Sequence, residues 1–184
     1  MPWKVAIPDP NHPKIRLRSE MRRMLRGGEQ DSEPVCRHLE RWLQERPLLN
    51  TLGVFSALAG EVDLSGLVAR HPDRCWVYPR VRGDELAFHA VENPSTELIP
   101  GAFGIREPRP DLTEVPVESI DAFFCPGLAF DKRGGRLGRG RGFYDRLLAN
   151  ARPDAIKVGV CFPWQVVDDT FAEPHDIAMD AVVF

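Results

Sequence analysis

No stretch of the 184-residue chain approaches the roughly 20 consecutive apolar residues of a membrane-spanning helix, so no such span is expected. Cysteine is scarce and scattered. Cys36, Cys75, Cys125 and Cys161 form no CxxC pair and no metal-ligand spacing, which excludes a zinc-type cluster and a disulfide framework. With no signal-peptide pattern at the start, the four are expected as reduced, buried thiols in a cytoplasmic protein. A strong net charge is missing too. At a formal −3, the molecule as a whole is not built for nucleic acid, so any local basicity needs a local explanation. Internal repeats and low-complexity tracts are absent. So are the two commonest phosphate motifs. No G-x-x-x-x-G-K-[ST] occurs, and G-x-G-x-x-G fails because Phe143 and Asp145 occupy the third-glycine position in the two possible registers.

What remains is ordinary globular material, 43% apolar and 28% charged, at a length that suits one domain. The opening residues, rich in proline and without periodicity, read as an extended arm over 1–13, ahead of one domain over 14–184. Leu17, Met21, Met24 and Leu25 predict a helix from Lys14 to Arg26, stopped by Gly27 and Gly28. A second helix is expected after an Asp31-Ser32 cap, with Val35, Leu39, Trp42 and Leu43 on one face and Pro47 ending it. Buried strands are predicted at Leu52–Leu58, Cys75–Tyr78, Ala122–Cys125 and Ala155–Phe162. A half-exposed strand is predicted at Leu86–Val91, a terminal one at Ala181–Phe184, and a short helix at Leu64–Arg70. The prolines between Asn93 and Pro116 exclude regular structure over most of that stretch. Strands alternating with helices imply an α/β fold, a three-layer sandwich with a mostly parallel central sheet flanked by helices.

One segment carries chemistry. From Asp131 to Asp145 the chain reads DKRGGRLGRGRGFYD, with five glycines and three arginines between Gly134 and Gly142. It follows a buried strand and enters a helix through Tyr144, Leu147 and Leu148, which puts it at the carboxyl edge of the sheet, where ligands bind in open α/β folds. Glycine lets backbone approach phosphate oxygens, arginine makes forked hydrogen bonds to them, and a helix start favours an anion. The segment is therefore expected to grip the phosphates of a nucleotide. A solvated surface loop or an RNA-binding loop are the competing readings. Asp145 suits either a magnesium ion between phosphates or a carboxylate at a helix start.

The stretch DAFFCPGLAFDKRGGRLGRGRGFYDRLL strongly resembles the signature of the 5-formyltetrahydrofolate cyclo-ligase (5,10-methenyltetrahydrofolate synthetase) family. Further agreement appears in order at Lys14–Arg18, Gly60–Asp63, Tyr78–Arg80, Gly104–Pro108 and Glu173–Asp176. The resemblance implies an ATP- and Mg2+-dependent ligase that closes 5-formyltetrahydrofolate, polyglutamylated or not, to 5,10-methenyltetrahydrofolate through an N5-iminium phosphate. It also implies a monomer with small-molecule substrates. A non-catalytic folate- or nucleotide-binding paralogue is the alternative.

By position, the resemblance assigns ATP to Lys14 and Arg18 and to the run Gly135, Arg136, Leu137, Gly138, Arg139, Gly140, Arg141, Gly142, Phe143 and Tyr144. It implies roles at the reacting groups for Arg136, Arg139 and Tyr144. Folate falls to Glu61, with Phe55 and Ser56 as pocket walls, and to Arg139, Gly140, Arg141, Gly142 and Phe143; Phe55 reads equally as core. Asp145 and Asp176 correspond to the magnesium carboxylates, while His175 reads as a neighbour of the metal region or a structural contact. The chain departs from the pattern at Phe143, where many members have tyrosine, and at Arg139 and Arg141, where many bacterial members have Tyr and Gly. Phe55-Ser56-Ala57-Leu58 also lacks the proline and aromatics often found before the glutamate.

Overall fold

The computed structural model describes residues 11–25 and 30–184. Most of the expected arm, and the glycines expected to stop the first helix, lie outside the described residues. In chain order the elements begin with α1 (Pro13–Met24), α2 (Glu33–Gln44), β1 (Thr51–Gly53), α3 (Ser65–Arg70), β2 (Cys75–Arg82) and β3 (Glu85–Ala90). Next come α4 (Pro94–Glu97), β4 (Leu98–Pro100), β5 (Arg106–Pro108), β6 (Glu114–Val115), β7 (Ala122–Cys125), β8 (Ala129–Asp131) and β9 (Arg136–Leu137). The last are α5 (Phe143–Leu148), β10 (Ile156–Val160), β11 (Val166–Val167) and β12 (Ala181–Val183).

Seven strands form the main sheet in the order β12-β10-β7-β1-β2-β3-β6. The block from β12 to β2 is parallel throughout, and β3 and β6 extend it with antiparallel pairings. The mostly parallel centre follows from strands apolar on both sides. In β7, Ala122 and Phe124 enter one core while Phe123 and Cys125 enter the other, the period-two alternation of a pleated strand covered on both faces. The first core takes Val35, Leu39 and Leu43 of α2 and Leu67 and Val68 of α3; the second takes Leu147 and Leu148 of α5. Helices thus cover both faces, the three-layer arrangement the sequence implies. The rings of Trp42 and Trp76 stand 5.9 and 6.5 Å from that of Phe124 at its centre.

The structure differs from the sequence reading in three places. The apolar run Leu52–Leu58 is a strand only as far as Gly53. Beyond it Val54 gives one last N–H to the Val77 carbonyl at 2.9 Å, and Phe55 is buried outside the strand, because apolar composition reports burial and not pairing. The proline-rich stretch contains a short ribbon of β4 against β5, with prolines at the strand ends. The glycine–arginine segment is not one loop. Its first half is a hairpin of β8 and β9, which joins β11 in a small second sheet, and only residues 138–142 remain as loop. Met21 of α1 packs on this hairpin at Leu128, Ala129 and Leu137.

Asp131 closes the hairpin. One carboxylate oxygen accepts the N–H groups of Arg133 and Gly135, and the other accepts the Thr170 N–H and hydroxyl at 3.0 and 2.6 Å. Burial on its own pushes this carboxyl up, but these hydrogen bonds outweigh it and hold the group below its ordinary value. Its contribution to stability is therefore complete above the unfolded value near 3.9 and is lost as pH falls through the lower folded value. Asp131→Asn is expected to lower the melting temperature at pH 7, with a gap to the parent that narrows as the pH is taken below about 4. A gap constant from pH 7 to pH 3 counts against this account. Phe124→Ala is expected to cost about 3–5 kcal/mol in a denaturant titration, the usual loss for emptying a buried phenylalanine site.

Candidate functional site

Strand β1 lies between β7 and β2, and the chain leaves these neighbours in opposite directions. The connection from β1 to β2 carries α3 on one face; that from β7 to β10 carries α5 on the other. Such a reversal of winding opens a crevice at the carboxyl ends of the strands. A cavity of about 810 Å3 lies there. Lys14 and Arg18 of α1, the segment after β1, Pro126 and Gly127 after β7, and the loop entering α5 all line it.

Within this cavity the structure gathers Lys14, Arg18, Phe55, Ser56, Glu61, Arg136, Gly138, Arg139, Gly140, Arg141, Gly142, Phe143, Tyr144, Asp145 and Asp176. Two residues assigned from sequence do not face it. In the two-residue strand β9, Arg136 turns toward the cavity, so Leu137 turns away into the core with Met21 and Leu128. Gly135 closes the hairpin, and a Cβ there would collide with the Thr170 hydroxyl and the Asp131 carboxylate. Its glycine is required by packing, not by close approach to a ligand.

The ionised side chains sort into three clusters. Arg136 is buried and donates from Nη2 to Asp145 Oδ1 at 3.0 Å, with its guanidinium 5.4 Å from the centre of the Tyr144 ring. Arg139 donates from Nε and Nη2 to one oxygen of Glu61, at 3.1 and 2.8 Å, while the other Glu61 oxygen accepts the Leu58 N–H at 3.0 Å. Lys14 is buried and donates to Asp176 and to Glu173, the latter at 2.8 Å. Burial alone pushes the Lys14 ammonium down, but the two carboxylates outweigh it and raise it above its ordinary value. The Asp176 carboxyl is held low: burial opposes this, and the Glu173 N–H and Lys14 overcome it.

Other groups at the cavity keep donors or acceptors available. The hydroxyls of Ser56 and Tyr144 and the Nε of Arg136 are shielded from solvent without a hydrogen-bond partner among the described residues. Burial pushes the Tyr144 phenol well up, so it stays protonated at neutral pH. Arg18 donates from Nε to the Gly138 carbonyl at 3.1 Å, and the Arg141 guanidinium lies 3.9 Å over the Phe103 ring.

Sequence reasoning gave no site role to Glu173, left His175 open, and overlooked Phe103 and Glu107. One ligand atom each of Glu173, His175 and Asp176 lies within 4.8 Å of the other two, and Asp145 does not belong to that group. The sequence spacing of Glu173 to Asp176 was visible, but their shared partner Lys14 lies 162 residues from Asp176. Phe103 takes a backbone φ of 58°, and the buried Glu107 carboxylate holds its loop through the Ala102 N–H at 3.3 Å. The cysteines are all free, with Cys36, Cys125 and Cys161 buried; burial pushes Cys36 up to about 11 and Cys125 and Cys161 up to about 12. No helix among the described residues is long and apolar enough to cross a membrane.

Comparison with known proteins shows what the whole chain is similar to. A protein called 5-formyltetrahydrofolate cyclo-ligase from Mycolicibacterium smegmatis is 44% identical over 89 residues, 47% of this chain and 45% of that protein. The protein of the same name from Escherichia coli strain K12 is 33% identical over 144 residues, 74% of this chain and 78% of its own length. The solved structure of Aquifex aeolicus 5,10-methenyltetrahydrofolate synthetase superposes with a TM-score of 0.82 at 32% identity, covering 94% of this chain and 89% of that one. The family model for 5-formyltetrahydrofolate cyclo-ligases matches residues 15–184, and the chain belongs to that family.

Proposed function

We propose that the protein uses ATP to close 5-formyltetrahydrofolate to 5,10-methenyltetrahydrofolate, releasing ADP and phosphate. One observation carries this reading beyond the family match. A single cavity is lined by a shielded carboxylate suited to a pterin, Glu61, and by cations suited to a triphosphate, Lys14, Arg18 and Arg136.

The pterin's amino-pyrimidinone edge offers adjacent N–H donors, which a carboxylate such as Glu61 accepts, and Ser56 adds a hydroxyl without a partner among the described residues to the same cavity. The formyl oxygen then attacks the γ-phosphorus of ATP and ADP departs. N10 attacks the carbon of the resulting N5-iminium phosphate, and the ring closes as N10 loses its proton and phosphate leaves. No protein nucleophile is needed. The task is to hold two substrates in line and to balance charge, which is how most phosphoryl transfer is accelerated. Lys14 and Arg18, four residues apart on one face of α1, neutralise phosphate oxygens. Arg136 does the same from a fixed position, oriented by Asp145. Tyr144, kept protonated by burial, serves as a hydrogen-bond donor.

The hard oxygens of Asp176 and Glu173, with His175 beside them, suit Mg2+, and a protein ammonium already sits among them. When bound, the ion would neutralise charge on the transferring phosphates. Asp145, engaged by Arg136 and by the Ile177 N–H at 3.4 Å, contributes through the arginine. We also place the protein in the cytoplasm, acting as a monomer, in keeping with its free thiols.

Mixing the protein with 5-formyltetrahydrofolate, ATP and Mg2+ is expected to produce methenyl-folate absorbance, which a chelator abolishes. A folded protein that binds both substrates without product would make it a non-catalytic paralogue. Arg136→Ala is expected to raise the ATP KM or lower kcat by about ten- to a thousandfold, the span for losing a charged phosphate contact. Unchanged kinetics in that variant would remove Arg136 from the phosphate site.

A further inference from the structure

Arg139 and Glu61 meet between the two proposed substrate positions, and each occupies the group that the other's proposed ligand would claim: the pterin for Glu61, the triphosphate for Arg139. Two N–H groups of Arg139 converge on Glu61 Oε1, and the Glu61 side chain is 8% exposed against 37% for the arginine. The second oxygen of Glu61 is held by the Leu58 N–H. The carboxylate is therefore anchored by backbone, and its replaceable partner is the guanidinium. Adjacent N–H donors on a guanidinium and on the amino-pyrimidinone edge of a pterin have the same donor pattern, so the two compete for one oxygen.

The arginine's backbone does not share this freedom. Arg22 Nη2 donates to the Arg139 carbonyl at 2.9 Å, and Arg18 Nε donates to the carbonyl of the preceding Gly138 at 3.1 Å. Two side chains of α1 thus pin the pivot from which the Arg139 side chain swings. That helix face also carries Lys14 and Arg18, so a guanidinium released from Glu61 remains in a cavity already lined by the phosphate-binding cations.

We propose that folate binding at Glu61 displaces Arg139 and hands its guanidinium to the triphosphate, making Arg139 the positioning residue that couples the two substrates. The proposal rests on the folate and ATP sites assigned above. Coupling of this kind is reciprocal: nucleotide that captures Arg139 uncovers Glu61 and tightens folate by the same factor, on the order of five- to a hundredfold for typical linked sites.

Calorimetric titration with a non-hydrolysable ATP analogue and Mg2+, without and with saturating 5-formyltetrahydrofolate, reads this directly. Folate is expected to tighten nucleotide binding roughly tenfold in the parent protein. Glu61→Gln keeps an oxygen for the Leu58 N–H but releases the arginine, so without folate it is expected to bind the analogue as tightly as the parent does with folate. A merely structural Glu61 would weaken binding or leave it alone. Because the substitution also removes a negative charge, the same change is made in an Arg139→Ala background, where the tightening must disappear. Arg139→Lys is expected to restore part of the coupling. Equal tightening in the presence and absence of Arg139, or undiminished folate–nucleotide coupling in Arg139→Ala, overturns the proposal. Turnover without coupling removes the exchange and leaves the enzymatic reading; coupling without turnover does the reverse. Nucleotide binding absent from the parent protein removes both.

Discussion

Arg136 lies in the cavity wall with its guanidinium bonded to Asp145 and facing the ring of Tyr144, and the geometry around it depends on that placement. A guanidinium this buried is tolerable only with a partner, since removing one member of such a pair leaves an uncompensated charge and typically costs about 3–5 kcal/mol. The pair in turn ties together parts distant in sequence. Asp145 stands in the first turn of α5, Arg136 in β9, and the same Asp145 oxygen receives the Ile177 N–H next to Asp176. One carboxylate oxygen thereby ties the hairpin, the helix and the segment next to Asp176 together.

The same logic repeats around the cavity with different partners. Lys14 faces Asp176 and Glu173, and Arg139 faces Glu61. Ion pairs in such settings contribute little net stability, because desolvation offsets attraction. Here they hold opposite charges together along the wall of one cavity.

Much of this site was legible in the sequence, and the reason is chemical. The cavity is lined by arginines, a lysine, carboxylates and glycines, residue types whose charge or backbone freedom few others replace. The core strands were legible for a similar reason: Ala122–Cys125, apolar on both sides, admits little besides a covered parallel strand. What escaped reading depends on contacts remote in sequence. The split of the glycine–arginine segment into hairpin and loop follows from Thr170 bonding Asp131 and from β11 pairing with β8. That Glu173 and Asp176 share Lys14 becomes visible only once α1 brings the lysine to them. The run after Gly53 looked like strand because it is mostly apolar, yet only Val54 and Phe55 are buried and it is loop at the place where the sheet changes its direction of winding.

That turn also accounts for the glycines, which serve different ends within one short segment. Gly135 leaves room for the Asp131–Thr170 contact, so its demand comes from behind the hairpin and not from a ligand. Gly142, at φ 67°, adopts the left-handed conformation that lets the chain leave the arginine-bearing loop and enter α5 within a single residue. Between them the chain must place Arg136 on a strand, Arg139 on a loop and Asp145 on a helix, all facing one cavity. A longer connection would permit the same placement at a greater entropic cost of ordering, and a stiffer one would not reverse direction in the space available. The dense run of glycine and arginine is therefore the short solution to a geometric problem: presenting Arg136 from a strand and Arg139 from a loop to one cavity.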